Sequence, residues 1–527
     1  MKLMRIVPFI DPEFRFDQTQ ITLNQKKLAK WYFDFDISKY NKLLKTRTVG
    51  YWQKKGVEKA INLLKLAAEY VPAYKDFLRK NGVKASSILS SDDLKRVPRT
   101  DKKNYISQYS LADLSWRGEI EKSSIVSQSS GSTGKPFFWP RGSYQSFKGA
   151  FQFEHLLTTL FGIDKKSTLL VDCFSMGSYV AGVYVFTCVK LLALKGYKLT
   201  IVTPGLNYQE IYRMLKKLAN NYEQIILCGY PPFLKDVVDL SKKFKFNFKK
   251  YDVKFFFASE FFSESWRERV LTEIGKSGDI RASTNIYGTA DSAIFSFETP
   301  MSILVRKIVE DKVTVGRELF KSNLMPTLTQ YNPVMTFYEE VDNELTLTTN
   351  AGLPLIRYNL RDRGGILTLN EIVKDLGENK INMKSQIKKH ISTDGFNNLP
   401  FVFLTSRTDG AVSFYAILIY PEYIAGGLET VGLRKKLSGK FSLVTKADKD
   451  QNPMLVVHVE LNPGVRASEK LREEVRASVI GNLRIRCLEY SFLEKSIGRK
   501  AVPKVVLHKK GRSKYFEVGV KQKWIIN

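Results

Sequence analysis

A short run of hydroxyl and glycine residues, ending in a lysine and a proline, reads Ser127-Gln128-Ser129-Ser130-Gly131-Ser132-Thr133-Gly134-Lys135-Pro136. Such a backbone can curl around an anion, so that amide N–H and side-chain O–H groups point inward together. Lys135 adds a full positive charge, and a triphosphate suits this chemistry best. By composition alone, however, a Ser/Gly run is more often a flexible linker, and both interpretations stay open at this point.

The surroundings of this run argue against a linker and against a Walker A loop. The run leads directly into the apolar Phe137-Phe138-Trp139, and the chain then continues as folded domain. The Walker A motif needs a glycine where this chain has Ser129, and Ser or Thr where it has Pro136. A phosphate loop here would therefore belong to another class of nucleotide-binding protein.

The composition favours small anionic partners. The chain has 527 residues, 43% of them hydrophobic, so it can form several domains with buried cores. Its formal net charge of +30 suits nucleotides, phosphates, acidic polymers or a membrane surface. The lysines are spread along the whole chain without a recognisable nucleic-acid-binding motif, so nucleic acid is not the expected partner.

The cysteines, histidines and apolar runs argue against a zinc-binding, a secreted and a membrane-spanning protein. The four cysteines show no Cys-x-x-Cys pair and lie in or beside apolar segments, which is typical of buried free thiols. The four histidines form no close pair, which argues against a structural zinc site. Residues 1–10 are too short and too broken for a signal peptide, and no apolar run is long enough to span a membrane. We expect a cytoplasmic protein, as a monomer or a homodimer.

The chain before the Ser/Gly run predicts a layer of helices. The first fifty residues show no clear period, but apolar residues fall on one helical face from Gly56 to Val71. Pro72 breaks this pattern, and a further helical turn stops at Gly82. Ser90 is typical of a helix N-cap.

After the Ser/Gly run, predicted strands and helices alternate. Short apolar strands are predicted at 168–172, 199–203, 224–228 and 253–258, with helices at 179–194, 209–218 and 231–241 and another from residue 263. This alternation indicates βαβ units and an α/β fold with a mostly parallel, doubly wound sheet. Ligands of such sheets bind at the carboxyl ends of the strands.

The remaining segments give three weaker predictions and a domain boundary. Residues 242–254 alternate phenylalanine with lysine, which favours a half-buried strand over a nucleic-acid groove. Residues 302–349 are predicted to be β-rich, and residues 376–398 to form an insertion or exposed loop. Strands at 411–419, 441–446, 454–461 and 503–508, with a helix at 467–479, predict a small α+β domain. We therefore divide the chain into residues 1–409 and a C-terminal domain, 410–527.

Several spaced motifs resemble one family. The run at 129–136 looks like the phosphate loop of the acyl-adenylate-forming superfamily, and within it the chain is most similar to the phenylacetate–CoA ligase branch. Further stretches resemble that branch in the expected order: 64–74 with 97–102, 229–233, 258–260 with 266–267, 287–291, 354–362 and 407–409. The resemblance covers roughly residues 55–525 and implies that the C-terminal domain is mobile.

The resemblance implies that this loop holds the triphosphate of ATP. Ser130, Thr133 and Lys135 would contact the phosphates, Thr133 and Lys135 taking part in catalysis. The other residues that the resemblance places in the nucleotide site are Ser129, Gly131, Ser132, Gly134, Glu260, Tyr287, Gly288 and Thr289, with Tyr287 near the adenine.

The resemblance also assigns roles downstream of the loop. Asp291 would bind Mg²⁺, a hard cation that prefers carboxylate and phosphate oxygens. Asp362 would accept hydrogen bonds from the ribose hydroxyls, Arg407 would lie near the nucleotide, and Asp409 would be the hinge of the C-terminal domain. Lys521 is the best-placed adenylation lysine, with Lys514 and Lys523 as alternatives.

Without the resemblance to this family, each of these residues also has an ordinary structural interpretation. Asp291 could be a turn residue, Asp362 a neutralising partner of its arginine neighbours, and Arg407 with Asp409 a surface ion pair. The chain also departs from the family pattern. Asp291 replaces a glutamate, Arg361 replaces a glycine, and 414–417 lack the glycines that help place the second substrate.

The expected function is an ATP-dependent ligase that activates a small carboxylic acid. It would form an acyl-AMP and pyrophosphate and then transfer the acyl group to CoA. An amine on a sugar, amino acid or cofactor is the alternative acceptor. A degenerate nucleotide-binding protein without activity, and a basic protein acting on nucleic acid or another anionic polymer, are the alternatives from other classes.

Overall fold

A layer of helices covers the start of the described chain. The computed structural model describes residues 21–128, 137–174, 176–177, 180–258, 262–322, 325–391, 397–407, 412–414, 417–447, 453–487, 490–491, 494, 498–513, 515–516 and 524. The helices of this layer are α1 (Ile21–Asp34), α2 (Ile37–Thr46), α3 (Val49–Tyr70), α4 (Pro72–Lys80), α5 (Ser91–Arg96) and α6 (Leu111–Leu114). The predicted layer is thus confirmed, although α1 and α2 were not anticipated.

Local chemistry explains where these helices begin. Pro72 lies in the first turn of α4, where its missing N–H group has no helical partner to lose. Ser90 caps α5, because its hydroxyl accepts a hydrogen bond from the Asp93 amide at 3.1 Å. The Asp93 carboxylate accepts one from the Ser90 amide at 3.0 Å in return, which completes a capping box.

The predicted parallel, doubly wound half of the sheet is confirmed. Its elements, with those that lead into it, are β1 (Ile125–Gln128), β2 (Phe138–Arg141), α7 (Ser143–Phe161), β3 (Thr168–Asp172), α8 (Val180–Leu194), β4 (Leu199–Val202), α9 (Tyr208–Leu218), β5 (Gln224–Gly229), α10 (Pro231–Asp239), β6 (Val253–Ala258), α11 (Glu264–Glu273) and β7 (Ser283–Thr289). The strands from β3 to β7 pair in parallel. On one face Leu170 and Ile226 pack with α7 and α8, while on the other Leu169 and Ile225 pack with α9, α10 and α11.

Antiparallel strands extend the same sheet. The next elements are β8 (Ala293–Phe297), α12 (Pro300–Asp311), α13 (Val313–Phe320), β9 (Thr327–Gln330), β10 (Phe337–Val341), β11 (Glu344–Ala351), β12 (Leu353–Leu367), α14 (Leu369–Glu378), α15 (Met383–His390) and β13 (Phe401–Arg407). All but β1 and β2 of the strands so far form one 11-stranded sheet, in the order β10-β11-β12-β13-β9-β8-β7-β6-β5-β3-β4. One mixed sheet therefore joins the segments that carry the predicted site.

Two predictions in this region are wrong in part. Residues 302–349 are β-rich only from β9 onward, since α12 and α13 occupy their first part; Thr299 caps α12 and Pro300 starts it. Residues 376–398 are not simply an exposed loop. They contain the end of α14 and all of α15, and Ile381, Met383 and Ile391 are buried in a core with α12 and α13.

The strand predicted at 242–254 is also wrong over most of its length. The chain instead makes turns and a single 3-10 turn before β6 begins at Val253. Lys245 adopts a positive φ of 51°, which breaks the alternation that a strand requires. Phe244 stacks on Tyr212 of α9 at 4.3 Å between ring centroids, and Phe246 and Phe248 pack in the same core. The phenylalanines are thus core residues rather than one face of a strand.

The C-terminal part has a core of its own. Its elements are β14 (Val412–Phe414), β15 (Ile417–Ile419), α16 (Pro421–Leu428), β16 (Leu437–Ala447), β17 (Pro453–Leu461), α17 (Glu469–Arg486) and β18 (Lys504–His508). A hydrophobic cluster here draws all its members from residues 412–524. This arrangement agrees with the α+β pattern read from the sequence, while the boundary at 409/410 stays a prediction.

A buried carboxylate connects the two parts. Asp236 of α10 is 1% exposed, and its oxygens lie 2.9 Å from Lys440 Nζ and 3.0 Å from Lys510 Nζ. Tyr208 donates a further hydrogen bond to Asp236 at 3.0 Å. Burial alone would raise the pKa of Asp236, but the two lysines lower it below its usual range.

All four cysteines are buried and unbridged, as predicted from their apolar surroundings. None of the helices in the described ranges combines the length and apolarity that a bilayer crossing requires.

Candidate nucleotide site

The structure describes only some of the predicted site residues. Tyr287, Gly288, Thr289, Asp291 and Asp362 are described in full, and Arg407 by its backbone alone. The predicted residues outside the described ranges are Ser129, Ser130, Gly131, Ser132, Thr133, Gly134, Lys135, Glu260, Asp409 and Lys521.

The end of β7 is shaped by a close approach of β8. A Cβ atom on Gly288 would lie 2.2 Å from the Ala293 carbonyl oxygen, so only glycine fits there. Ala293 itself has a positive φ of 62°, and the β7–β8 register shifts between Tyr287 and Gly288. Gly288 therefore positions the turn that carries Asp291.

The strand β12 carries Asp362 and is irregular beside it. Arg357 and Arg361 both have positive φ, at 45° and 61°. The Thr100 amide donates to the Arg357 carbonyl at 3.0 Å, and the Asn359 amide donates to the Thr100 carbonyl at 2.8 Å. The N-terminal segment around Thr100 thus pairs directly with β12, and across β13 the register sets Asp362 opposite Arg407.

Two tyrosine–carboxylate pairs link β7 and β12 reciprocally. Tyr287 of β7 donates its hydroxyl to Asp362 Oδ2 at 2.6 Å. Tyr358 of β12 donates its hydroxyl to Asp291 Oδ2, beyond the end of β7, at 2.7 Å. Asp362 is 1% exposed and Asp291 6%. The structure therefore pairs the predicted ribose ligand with the predicted adenine neighbour, and pairs the predicted metal ligand with a second tyrosine of the strand that carries the ribose ligand.

Lys102 is a cation at this site to which the sequence reasoning gave no role. Its Nζ lies 3.5 Å from Asp291 Oδ1 and 5.9 Å from the centre of the Trp139 ring. Its neighbour Asp101 pairs with Arg361. The only available signal was that 97–102 belonged to a matched stretch; the contact itself spans almost two hundred residues of chain.

Arg141, the last residue of β2, is a second cation that the sequence reasoning missed. It is 4% exposed, and its Nη2 donates to the Ala290 carbonyl. Burial lowers the pKa of Arg141 to about 10, while Tyr184 and Asp291 oppose that shift. Arg141 is therefore charged at neutral pH.

Some buried polar atoms of the site have no hydrogen-bond partner. Among the described residues these include Thr289 Oγ1 and Arg141 Nε and Nη1. Buried polar groups in folded proteins are nearly always hydrogen-bonded, so groups like these often mark the place of a ligand or an ordered water. Within the described ranges, no three His, Cys, Asp or Glu side chains gather as metal ligands.

No family model matches the sequence, and no curated protein matches it. Among solved structures, the chain is similar to a 2-hydroxyisobutyryl-CoA ligase in the postadenylation state in complex with 2-HIB-AMP. That match has a TM-score of 0.66 at 15% identity and covers 92% of this chain and 91% of that chain. The same ligase in the thioesterification state, in complex with 2-HIB-AMP and CoA, gives a TM-score of 0.53 at 15% identity over 92% and 91% of the two chains. Its open conformation also gives 0.53 at 15% identity, over 92% and 93%.

At these identities the likeness shows a shared fold. The chain therefore has the α/β fold of this CoA ligase, which agrees with the fold class predicted from the sequence. The resemblance to the phenylacetate–CoA ligase branch stays a prediction.

Proposed function

We propose that this chain is an ATP-dependent ligase that activates a small carboxylic acid as an acyl-AMP and transfers the acyl group to CoA. The observation that carries the proposal is the reciprocal pairing of Tyr287 with Asp362 and of Tyr358 with Asp291. The Asp291 carboxylate follows the carboxyl end of β7, which pairs in parallel with β6, and the Asp362 carboxylate on β12 contacts Tyr287 near that end. Ligands of such sheets bind at this edge. The shared fold with a CoA ligase supports the same reading.

The reaction requires two anions to meet. A carboxylate oxygen of the acid would attack the α-phosphorus of ATP, while the bond to the leaving pyrophosphate breaks. The sulfur of CoA would then attack the acyl carbonyl carbon, the bond from that carbon to the phosphate oxygen of AMP would break, and the thiol proton would pass to the released AMP or to solvent. Fixed cations and hydrogen-bond donors lower the cost of bringing the anions together, and Lys102 and Arg141 supply fixed charge beside Asp291.

Asp362 suits the proposed role toward the ribose. An ionised carboxylate can accept several hydrogen bonds, and Tyr287 holds one oxygen in place. A group fixed in this way loses little freedom when a diol binds to it.

Asp291 fits a magnesium ion of the kind that one carboxylate and substrate phosphates hold together. Its oxygens contact Tyr358 and Lys102, which leaves acceptor capacity on the carboxylate. Bound there, magnesium would neutralise part of the phosphate charge. Thr289, with its unpartnered hydroxyl two residues away, adds a polar group on the same turn.

We assign the domain arrangement seen here to the adenylation half of the cycle. The TM-score is 0.66 against the postadenylation state of the similar ligase and 0.53 against its thioesterification state, which supports this assignment. The catalytic step to CoA would then need a second arrangement, with Asp409 as the proposed hinge.

Pyrophosphate exchange into ATP, measured with a library of carboxylic acids, tests the first half-reaction. We expect exchange with at least one acid, and at least a tenfold loss in an Asp362→Asn variant. Asp34→Asn, an exposed aspartate on α1, is the matched control and should keep full exchange. Intact ATP binding without exchange for any acid would contradict the proposal and favour a non-catalytic nucleotide-binding protein.

The second half-reaction has its own test. A Lys521→Ala variant should lose exchange but still form thioester from supplied acyl-AMP and CoA. Product analysis with CoA and with amines identifies the acceptor, and amide formation without thioester would overturn CoA as the acceptor.

A further inference from the structure

Arg141 is held in place by its backbone on two sides. Its carbonyl accepts a hydrogen bond from the Ser124 amide at 2.8 Å, and β1 pairs with it through Ile125. On the other side, Gly352 has a φ of 105°, and a Cβ there would lie 2.1 Å from the Pro140 carbonyl oxygen. The start of β12 therefore packs directly on the backbone of β2. These contacts restrain the backbone of Arg141 and so fix the position of its Cα atom.

The guanidinium reaches the turn that carries Asp291 but is only partly satisfied there. It has five N–H donors in a planar fork, of which Nη2 donates to the Ala290 carbonyl. Nε and Nη1 are buried without an acceptor among the described residues. Asp291 supplies opposite charge nearby, but these two nitrogens lack an acceptor in the described ranges. Buried donors of this kind often mark the place of a ligand or an ordered water.

A second unpartnered polar group lies on the same turn. Thr289 precedes Ala290, and its buried hydroxyl has no hydrogen-bond partner in the described structure. Arg141, which contacts the Ala290 carbonyl, and Thr289, the residue before Ala290, therefore both carry buried donors without a hydrogen-bond partner in the described ranges. A hydroxyl and a guanidinium together suit an oxyanion, because arginine can bind two oxygens of one group at once.

We propose that Arg141 and Thr289 bind an oxyanion of the substrates, either the α-phosphate of the nucleotide or the carboxylate of the acid. The assignment rests on the proposed function and adds a specificity-determining cation to it. Both sources present two or more acceptor oxygens on one atom, and the experiment below distinguishes them.

Binding measurements on Arg141→Met separate the two sources. The probes are AMP, adenosine and a series of linear monocarboxylates from acetate to octanoate, each measured by titration calorimetry. A phosphate ligand predicts at least a tenfold loss of AMP affinity, with adenosine and carboxylate affinities unchanged. A carboxylate ligand predicts at least a tenfold loss for the carboxylates, with AMP unchanged. Arg141→Lys, which keeps the charge but not the fork, should lose less than Arg141→Met.

The thermal midpoint of the free protein distinguishes a ligand-binding arginine from a structural one. Arg141→Met should lower the midpoint less than Arg267→Met does, because two Arg141 nitrogens have no acceptor in the described ranges. Arg267→Met is the matched control. Arg267 is 0% exposed and fully engaged with Glu264, Glu298 and Ser283, so its loss should lower the midpoint.

Two results would overturn the assignment. Unchanged affinity of Arg141→Met for every probe that wild type binds would refute the Arg141 site and leave the proposed function standing. Failure of wild type to bind any of the probes would refute both.

Discussion

Arg361 has a left-handed backbone conformation, with φ at 61°. The family that the chain resembles usually has glycine at this position. An L-residue pays about 1–2 kcal/mol for that conformation. The side chain, itself 52% exposed, pairs with the largely buried Asp101 carboxylate, and a pair that is partly open to solvent contributes about 1 kcal/mol. The strain and the ion pair therefore roughly balance.

Arg361→Gly should consequently be about as stable as wild type, and more stable than Arg361→Ala by about 1 kcal/mol. Alanine loses the ion pair and keeps the strain, whereas glycine loses both. Denaturant unfolding of the two variants measures the difference. Equal stabilities would show that the backbone at this position is not strained.

The buried carboxyl group of Asp172, at the end of β3, should make the free energy of unfolding depend on pH. It is fully buried, and burial raises its pKa to about 8, against one hydrogen bond from the Phe174 amide. The folded chain keeps this proton up to about pH 8, while the unfolded chain releases it near pH 4. Between these values the free energy of unfolding should fall by about 1.4 kcal/mol per pH unit from this group.

Asp172→Asn should remove that slope, which denaturant unfolding at pH 5, 6, 7 and 8 would reveal. Asp164→Asn, at an exposed position, serves as the control and should keep the wild-type profile. Parallel profiles for Asp172→Asn and wild type would refute the prediction.

At the scale of elements, Gly288 fixes the hairpin of β7 and β8. An added methyl group would lie 2.2 Å from the Ala293 carbonyl oxygen, and the opposing atom is backbone, so it cannot move cheaply. Gly288→Ala should cost about 2 kcal/mol or more of folding free energy and should weaken AMP binding, because the turn with Asp291 shifts. Gly377→Ala on α14 has open space around it and is the control. Matching thermal midpoints for the two variants would contradict this account.

Periodicity predicted some elements well and others poorly, for physical reasons. The strands β3 and β5 are buried on both faces, so their short apolar runs are unambiguous. Residues 242–254 show that alternation is not sufficient, because Phe246 and Phe248 reach one core from turns. The helix α12 was missed although Thr299 and Pro300 give a start signal, since the region was interpreted as β-rich as a whole.

Residues of the candidate site could be predicted from the sequence only where they belong to a motif of the family that the chain resembles. Tyr287, Asp291 and Asp362 came from the resemblance, and the structure pairs Tyr287 with Asp362 and Asp291 with Tyr358, while their roles stay predictions. Lys102 and Arg141 reach the same turn from segments more than a hundred residues away. No local pattern distinguishes them from the other lysines and arginines of so basic a chain.

At the scale of the whole molecule, the ion pairs of Asp236 with Lys440 and Lys510 should help to hold the C-terminal part against the rest. Asp236→Asn would leave Lys440 and Lys510 without their shared carboxylate. We expect a larger radius of gyration in small-angle X-ray scattering, because the two parts separate more often. Acidification should change wild type in the same direction, but only below the ordinary pKa of an aspartate, because the lysines lower the pKa of Asp236 and its protonation removes the attraction.

Asp239→Asn is the matched control for this experiment. Asp239 lies on the same helix and pairs with Lys235, which is also on α10. It should leave the radius of gyration unchanged. Identical scattering from Asp236→Asn and Asp239→Asn would mean that other contacts hold the two parts together.

The pairing of Thr100 with β12 has a consequence for biosynthesis. The Thr100 hydroxyl donates to the Ile356 carbonyl, a partner 256 residues later in the chain. More than half of the protein must therefore leave the ribosome before this part of the proposed nucleotide site can form, and contacts between such distant residues form slowly. Until then the backbone groups of Thr100 lack their partners on β12, so this contact cannot stabilise the early helices while the first half of the chain is being made. We expect the growing chain to bind chaperones during this interval.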